Sequence, residues 1–285
     1  MEYKKGYNIK PSHINQTGEV IFTDGTNEVR ANQKTCQDYG YTYNESTGTC
    51  SAFKYNTKTN NTSDNVHNII KGDLNTTNLG TANSFILGTD NKSGGDNLNV
   101  MIIGSKNVID KDIKNTSIVA GTLGQAKNQG ELVLAGGGFG TTLGLAQKSF
   151  IQQSGNTTDA TTTPLYTQYI TNKYIEKIPN TIISFEAIVL GVNTGVGTGS
   201  AGEYGNVKIT GAVKFTNDGA EGISSTYTQS SSNVVAPGTS GLNISAVLKD
   251  ITTTSFGVAV TGVAGTTIQW TASIQLCQNK LTQTI

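Results

Sequence analysis

Gly197, Gly199 and Gly202 spell G-x-G-x-x-G, a spacing that cradles a pyrophosphate when a helix N-terminus comes directly after it. The next residues here, Glu203-Tyr-Gly205-Asn-Val-Lys-Ile-Thr, are a strand sequence, so the segment reads as a hairpin loop. The cluster Gly136 to Gly140 has no Gly-Lys-Ser/Thr and fails as a phosphate loop. His13 and His67 sit in dissimilar contexts, with no ligand-like spacing to Cys36 or Cys50. A metal site of about four ligands and a Ser-His-Asp triad therefore both lack candidates. Glu186, inside Phe185-Glu-Ala, and Glu203 are the acids a glycosidase pair would draw on. They read instead as an outward strand residue and a loop residue. No catalytic, cofactor-binding or metal-binding residue is assigned, no cofactor is expected, and the chain is read as a non-enzyme.

The cysteines are more informative. Between Cys36 and Cys50, Tyr39, Tyr41 and Tyr43 alternate and Asn44-Glu-Ser-Thr-Gly48 offers a turn. The stretch reads as a small hairpin closed at its ends by a disulfide, or by two neighbouring free thiols in a reducing cytoplasm. Cys277 reads as a small core residue or an unpaired thiol.

The elements that must carry these residues are strands. Thr, Ile and Val supply 85 of 285 residues, side chains stiff at χ1 that suit a pleated sheet, while 34 Gly and 28 Asn supply corners. Few prolines and little Glu, Lys or Ala argue against long helices. Twenty basic side chains balance 20 acidic ones, which removes the electrostatic footprint of sequence-independent nucleic-acid binding. No apolar run approaches the ~18 residues of a membrane span, and the start, Met1-Glu2-Tyr3-Lys4-Lys5, shows no secretory core. Neither nucleic acid nor membrane is expected as a partner.

One segment repeats. Asn68-Ile-Ile-Lys-Gly72, Ser84-Phe-Ile-Leu-Gly88, Val100-Met-Ile-Ile-Gly104, Ser117-Ile-Val-Ala-Gly121 and Leu132-Val-Leu-Ala-Gly136 place their glycines 16, 16, 17 and 15 residues apart. Two units add an Asn five residues before the glycine, Asn83 and Asn99. The pattern predicts a stacked β-coil with one short strand per rung and Gly where a Cβ would clash. Both faces of each triplet are apolar, so a second copy of the chain is expected to cover one of them. The core between chains is assigned to Phe85, Ile86, Leu87, Met101, Ile102, Ile103, Val119 and Leu134. Lys71, the exception in the first unit, fits a capping rung. After a Gly- and Thr-rich junction come longer strands over 181–194, 206–216, 242–247, 256–263 and 266–276. In the last of these Ile268, Trp270, Ala272, Ile274 and Leu276 share one face, the mark of an antiparallel sandwich or jelly roll.

The expected fold is thus all-β, in four parts: an N-terminal attachment segment with the cysteine hairpin (1–57), a trimeric β-coil repeat stalk (58–148), a connector (149–180) and a C-terminal β-sandwich (181–285). Asn83-Ser-Phe-Ile-Leu-Gly88 and Asn99-Val-Met-Ile-Ile-Gly104 resemble the coils of trimeric autotransporter adhesin heads and similar stretches in bacteriophage fibres. Gly262-Val-Ala-Gly-Thr-Thr-Ile-Gln-Trp270-Thr-Ala-Ser-Ile-Gln-Leu276, with Ser184-Phe-Glu-Ala-Ile-Val-Leu-Gly191 and Gly211-Ala-Val-Lys, resembles the C-terminal sandwich of phage tail and head fibre proteins. The Cys36–Cys50 stretch is similar to a small module of crAss-like phages that infect Bacteroides. These resemblances imply a homotrimeric virion fibre on a tailed-phage capsid, assembled in the host cytoplasm, displayed on the virion surface and joined through its N-terminal segment to the capsid or another virion protein. Two competing expectations are a tail fibre that recognises a host surface glycan, with Tyr204 and Tyr227 as first aromatics to probe, and a depolymerase tailspike.

Overall fold

The computed structural model describes residues 8–15, 18–45, 47–52, 67–135, 142–217, 222–233 and 242–280. The glycine cluster Gly136 to Gly140 lies outside them. The chain divides into two compact units, 1–57 and 58–285.

The first unit carries β1 (Lys10–Ile14), β2 (Val20–Thr23) and β3 (Glu28–Val29) as an antiparallel sheet in that order. A six-residue helix, α1 (Gln33–Asp38), and the hairpin of β4 (Thr42–Asn44) with β5 (Thr49–Ser51) come next. Asn32 caps α1 by accepting from the Thr35 N–H at 2.9 Å. That cap explains a departure from the expected hairpin. Cys36 lies in a helix rather than at a strand end, and Tyr39 closes that helix instead of alternating in a strand. Val20, Phe22, Ala31, Cys36 and Cys50 form the core, with Tyr39 and Tyr41 set edge-on to the Phe22 ring.

In the second unit the repeats wind a β-solenoid of about four turns. Its strands are β6 (Ile69–Lys71), β7 (Thr76–Thr77), β8 (Phe85–Thr89), β9 (Lys92–Ser93), β10 (Met101–Ser105), β11 (Val108–Ile109), β12 (Ser117–Thr122), β13 (Gln125–Ala126) and β14 (Leu132–Ala135). The even-numbered set from β6 to β14 forms one parallel ladder and β7-β9-β11-β13 a second, so each rung holds two strands rather than the expected one. Single bridges, Ala82 to Leu98 and Leu98 to Lys114, mark a third side. Register stacks Ile70, Ile86, Ile102, Ile118 and Val133 in line inside the coil, where they meet Val100, Ile109, Ile113 and Ala126.

Asparagine fixes the period. Asn75, Asn91 and Asn107 are buried 16 residues apart, each three residues after a repeat glycine. The Asn91 N–H and Nδ2 both donate to Asn75 Oδ1 at 3.0 Å, and Asn107 repeats the pair onto Asn91 at 3.1 Å. Each amide also donates to the glycine carbonyl of the next rung, as Asn91 does to Gly104 at 2.8 Å. Gly88, at φ 124°, sits so close beneath Gly104 that a Cβ there would collide with the Gly104 carbonyl oxygen. Asn83, Asn99 and Asn115 are left-handed corners at φ between 50° and 56°, a conformation Asn tolerates better than most side chains.

The remaining strands are β15 (Ala146–Thr157), β16 (Thr162–Pro164), β17 (Tyr166–Thr167), β18 (Ile175–Glu176), β19 (Thr181–Gly197), β20 (Tyr204–Asn217), β21 (Ile223–Asn233), β22 (Ser245–Asp250), β23 (Ser255–Thr261) and β24 (Thr266–Lys280). β15 runs antiparallel to β14 on one side and pairs over twelve residues with β24 on the other. The solenoid ladder and the C-terminal strands therefore share one sheet, in the order β21-β20-β19-β24-β15-β14-β12-β10-β8-β6. Residues 149–180, expected as a connector, contain most of β15, the strand that joins the two halves. A smaller sheet, β16-β23-β18 with β22 on β23, faces the C-terminal strands across a core that includes Phe185, Phe215, Phe256, Val258 and Trp270. Two of its buried polar side chains are paired. Trp270 Nε1 donates to Thr157 Oγ1 at 2.9 Å, and Gln153 Oε1 accepts from the Val258 N–H at 2.9 Å, which ties the sheets together.

Candidate functional site

The long sheet has an inner face that lines both cores and an outer face turned to solvent. Alternation dictates which side chains reach the outside. One register row carries Ile69, Phe85, Met101, Ser117, Leu132 and Phe150. The neighbouring row carries Lys71, Leu87, Ile103 and Val119, with Leu134 two residues beyond Leu132. Ile69 is 52% exposed and Leu134 41%; Phe85, Met101, Ile103 and Val119 are half-buried by their neighbours. Five strands at ~4.8 Å spacing give an apolar band about 20 Å long. Bands of this kind, larger than scattered surface residues, mark interaction surfaces.

This placement splits the residues assigned to a core between chains. Ile86 and Ile102 are wholly buried within their own coil, because they occupy the middle, inward position of each triplet. The triplet centres thus form a core inside one chain. Phe85, Leu87, Met101, Ile103, Val119 and Leu134 are the outward set.

Polarity changes further along the sheet. Gln275 and Cys277 of β24 face outward beside Phe150 and Lys148, and Lys148 Nζ lies 5.3 Å from the Phe150 ring centre. Cys277 is exposed with a free thiol; the alternation that buries Leu276 turns it outward. Glu186, on the outer face of β19, pairs with Lys208 at 3.0 Å. Ile182, Ile188 and Leu190 extend exposed apolar surface on the same strand.

Several other charges are committed to structure. Burial works against the charge on Lys127, but Glu176 at 3.2 Å and Asp110 at 3.3 Å outweigh it and hold its pKa above the ordinary value. Beside it Glu131 is buried, and Glu131 Oε2 accepts from the N–H groups of Lys127 and Asn128 at 3.0 Å. Burial dominates there and raises the carboxyl pKa. Lys177, almost fully buried, pairs with Asp250 at 2.9 Å. Tyr227 donates to the other Asp250 oxygen, and burial together with that contact pushes its hydroxyl pKa upward. Among the described residues no three His, Cys, Asp or Glu side chains group so as to hold a metal ion.

The glycines of the dinucleotide-like motif lie at the turn between β19 and β20, and Glu203 in that turn accepts from Asn193 at 3.3 Å. Tyr204 is 40% exposed, whereas Tyr227 is tied to Asp250. A tyrosine group that the sequence did not single out lies elsewhere. Tyr166 and Tyr174 have ring centres 5.6 Å apart, and Tyr169, 62% exposed, sits in a turn whose Gln168, Tyr169 and Asn172 all adopt left-handed φ. Gln168 accepts from Asn115 of the coil at 2.8 Å. The left-handed run was illegible because its residues carry no Gly signal.

Cys36 and Cys50 are joined by a disulfide, with Cα atoms 5.7 Å apart. No described helix is long and apolar enough to cross a membrane. No protein-family model matches the chain, and no curated protein does. Among solved structures the chain is similar to the tailspike protein of Acinetobacter baumannii phage AM24, with 9% identity and a TM-score of 0.26 over 72% of this chain. The match spans 47% of the tailspike chain. At that score the likeness fixes neither a shared fold nor a shared activity.

Proposed function

We propose that the chain is a structural virion protein: a short homotrimeric fibre of a tailed phage that projects from the capsid and acts by binding rather than catalysis. The observation that carries this reading is the apolar band along the outer face of the solenoid ladder. A coil whose rungs are already satisfied inside keeps an apolar face available for other copies. Stacked rungs locked by buried asparagines suit a stiff spacer, and the C-terminal strands, read as the outer sandwich, continue the same sheet. The N-terminal unit, with its separate core, is the part assigned to the virion. Immunolabelling of particles tests the placement: label on heads supports the head fibre, and label confined to tails replaces it with a tail fibre. A chain lacking residues 1–57 is expected to associate with itself yet fail to join particles.

The second reading, a receptor-binding tail fibre, has one observation in its favour. Tyr166, Tyr169 and Tyr174 gather on the surface beside Asn115, Asn156 and Gln168, and aromatic faces with amides are the groups that hold sugar rings. Host polysaccharide that binds wild type but not Tyr169→Ala would favour it. Release of oligosaccharide from that polysaccharide would instead make the chain a depolymerase.

A further inference from the structure

The two units differ in what holds them together. The second unit rests on two apolar cores and long ladders and contains no disulfide among its described residues. Among its described residues the first rests on five buried apolar side chains, two of them Cys36 and Cys50, with Val29, Tyr39, Tyr41, Tyr43 and Ala52 packed against them. Its other elements are marginal alone. A six-residue helix is far below the length at which helices persist in water, and a hairpin of three-residue strands needs packing to survive.

The disulfide lies where these elements meet. It joins α1 to β5, and β5 is pinned to the start of β2 through the Glu19–Ser51 bridge and the Ala52 N–H to the Gly18 carbonyl at 3.0 Å. Breaking the bond leaves the helix held to the hairpin only by contacts such as the Tyr41 N–H to the Cys36 carbonyl at 3.1 Å and Gln33 to Glu45 at 3.0 Å, and puts two thiols into a small core. Domains of this size bury too little apolar surface to be more than marginally stable, so a staple weighs heavily in them.

We propose that the first unit is a redox-gated module, folded when Cys36 and Cys50 are bonded and unfolded when they are reduced, while the second unit is indifferent to reductant. Closure transfers two electrons and two protons from the thiols to a small disulfide oxidant, which leaves as two thiols; a dithiol reverses it. In a reducing cytoplasm the chain then carries a folded second unit with an unfolded N-terminal segment, and oxidation completes it. Both sulfurs are buried in the folded module, so its opening precedes reduction.

The test is limited chymotrypsin digestion of the full chain before and after dithiothreitol, read by mass spectrometry, with thiols titrated in denaturant alongside. The expected result is one free thiol before reduction and three after. Cleavage at Phe22, Tyr39, Tyr41 and Tyr43 should rise on the order of 10²-fold, matching the lost constraint of a ~15-residue loop. Resistance of the second unit should not change, and oxidised glutathione should restore the original pattern. The double variant Cys36→Ala/Cys50→Ala, which keeps small apolar side chains at both positions, should digest like the reduced chain without reductant. Three free thiols before reduction, unchanged protection after it, or equal exposure of both units would each overturn the proposal. None of these outcomes depends on whether the chain is a fibre.

Discussion

Buried asparagines set the spacing of the solenoid rungs, and a buried carboxyl among them is expected to set a pH response. Asn91 Oδ1 accepts from the Asn107 backbone and side chain, and its Nδ2 serves Asn75 Oδ1 and the Gly104 carbonyl. Asn91→Ala strands several buried groups at once and should cost about 3 kcal/mol in urea unfolding, whereas Asn78→Ala on the exposed side should stay within about 0.5 kcal/mol. Equal losses would mean that the ladder contributes no more than ordinary surface contacts. Glu131 acts through its proton. Its carboxyl pKa is raised above 4.5 by burial, so the folded chain binds this proton more tightly than the unfolded chain does. The stabilisation is fully present below the ordinary value and is lost as pH rises through the folded value. Glu131→Gln keeps an acceptor for the Lys127 and Asn128 N–H groups and should flatten stability against pH across that window, as melts between pH 4 and neutrality would show.

At the scale of elements, the repeat glycines were the legible signal because their physical requirement is severe. Gly88 meets the Gly104 backbone and holds φ 124°, so Gly88→Ala must push two rungs apart and should cost at least about 3 kcal/mol. Gly202, at φ 87° with open space around it, carries strain alone, and Gly202→Ala should cost about 1 kcal/mol. Denaturant midpoints of the two variants would compare them directly. The second ladder was illegible for the opposite reason. Lys92-Ser93 and Gln125-Ala126 are two-residue strands whose inward positions hold Ser or Ala, which leaves no hydrophobic period to read. Yet Asn75, Asn91 and Asn107 recur at 16 residues, and that spacing was available in the sequence. β21 escaped notice because Ser and Thr occupy both of its faces, as an edge strand allows. α1 was hidden by alternating tyrosines that read as a strand until the Asn32 cap is seen.

For the molecule as a whole, the question is what an apolar band along a finished solenoid is for. Inward and outward residues of one triplet answer it differently. Ile86→Asp or Ile102→Asp places a carboxylate in the coil's own core and should unfold the solenoid whatever the oligomeric state, since a buried unpaired charge costs several kcal/mol. Leu87→Asp with Leu134→Asp changes side chains that are 38% and 41% exposed, so a lone chain should tolerate them with its circular dichroism unchanged. In an assembly the same pair would put charges between copies and should abolish association. Sedimentation is expected to give wild type a mass about three times the 30.0 kDa chain, and the outward variant a folded species at that single-chain mass. If wild type itself sediments as a folded single chain, the band has another occupant and the trimeric reading falls. If the outward variant unfolds along with the inward ones, its side chains support the coil in ways their exposure does not suggest, and the separation of inner core from outer interface fails.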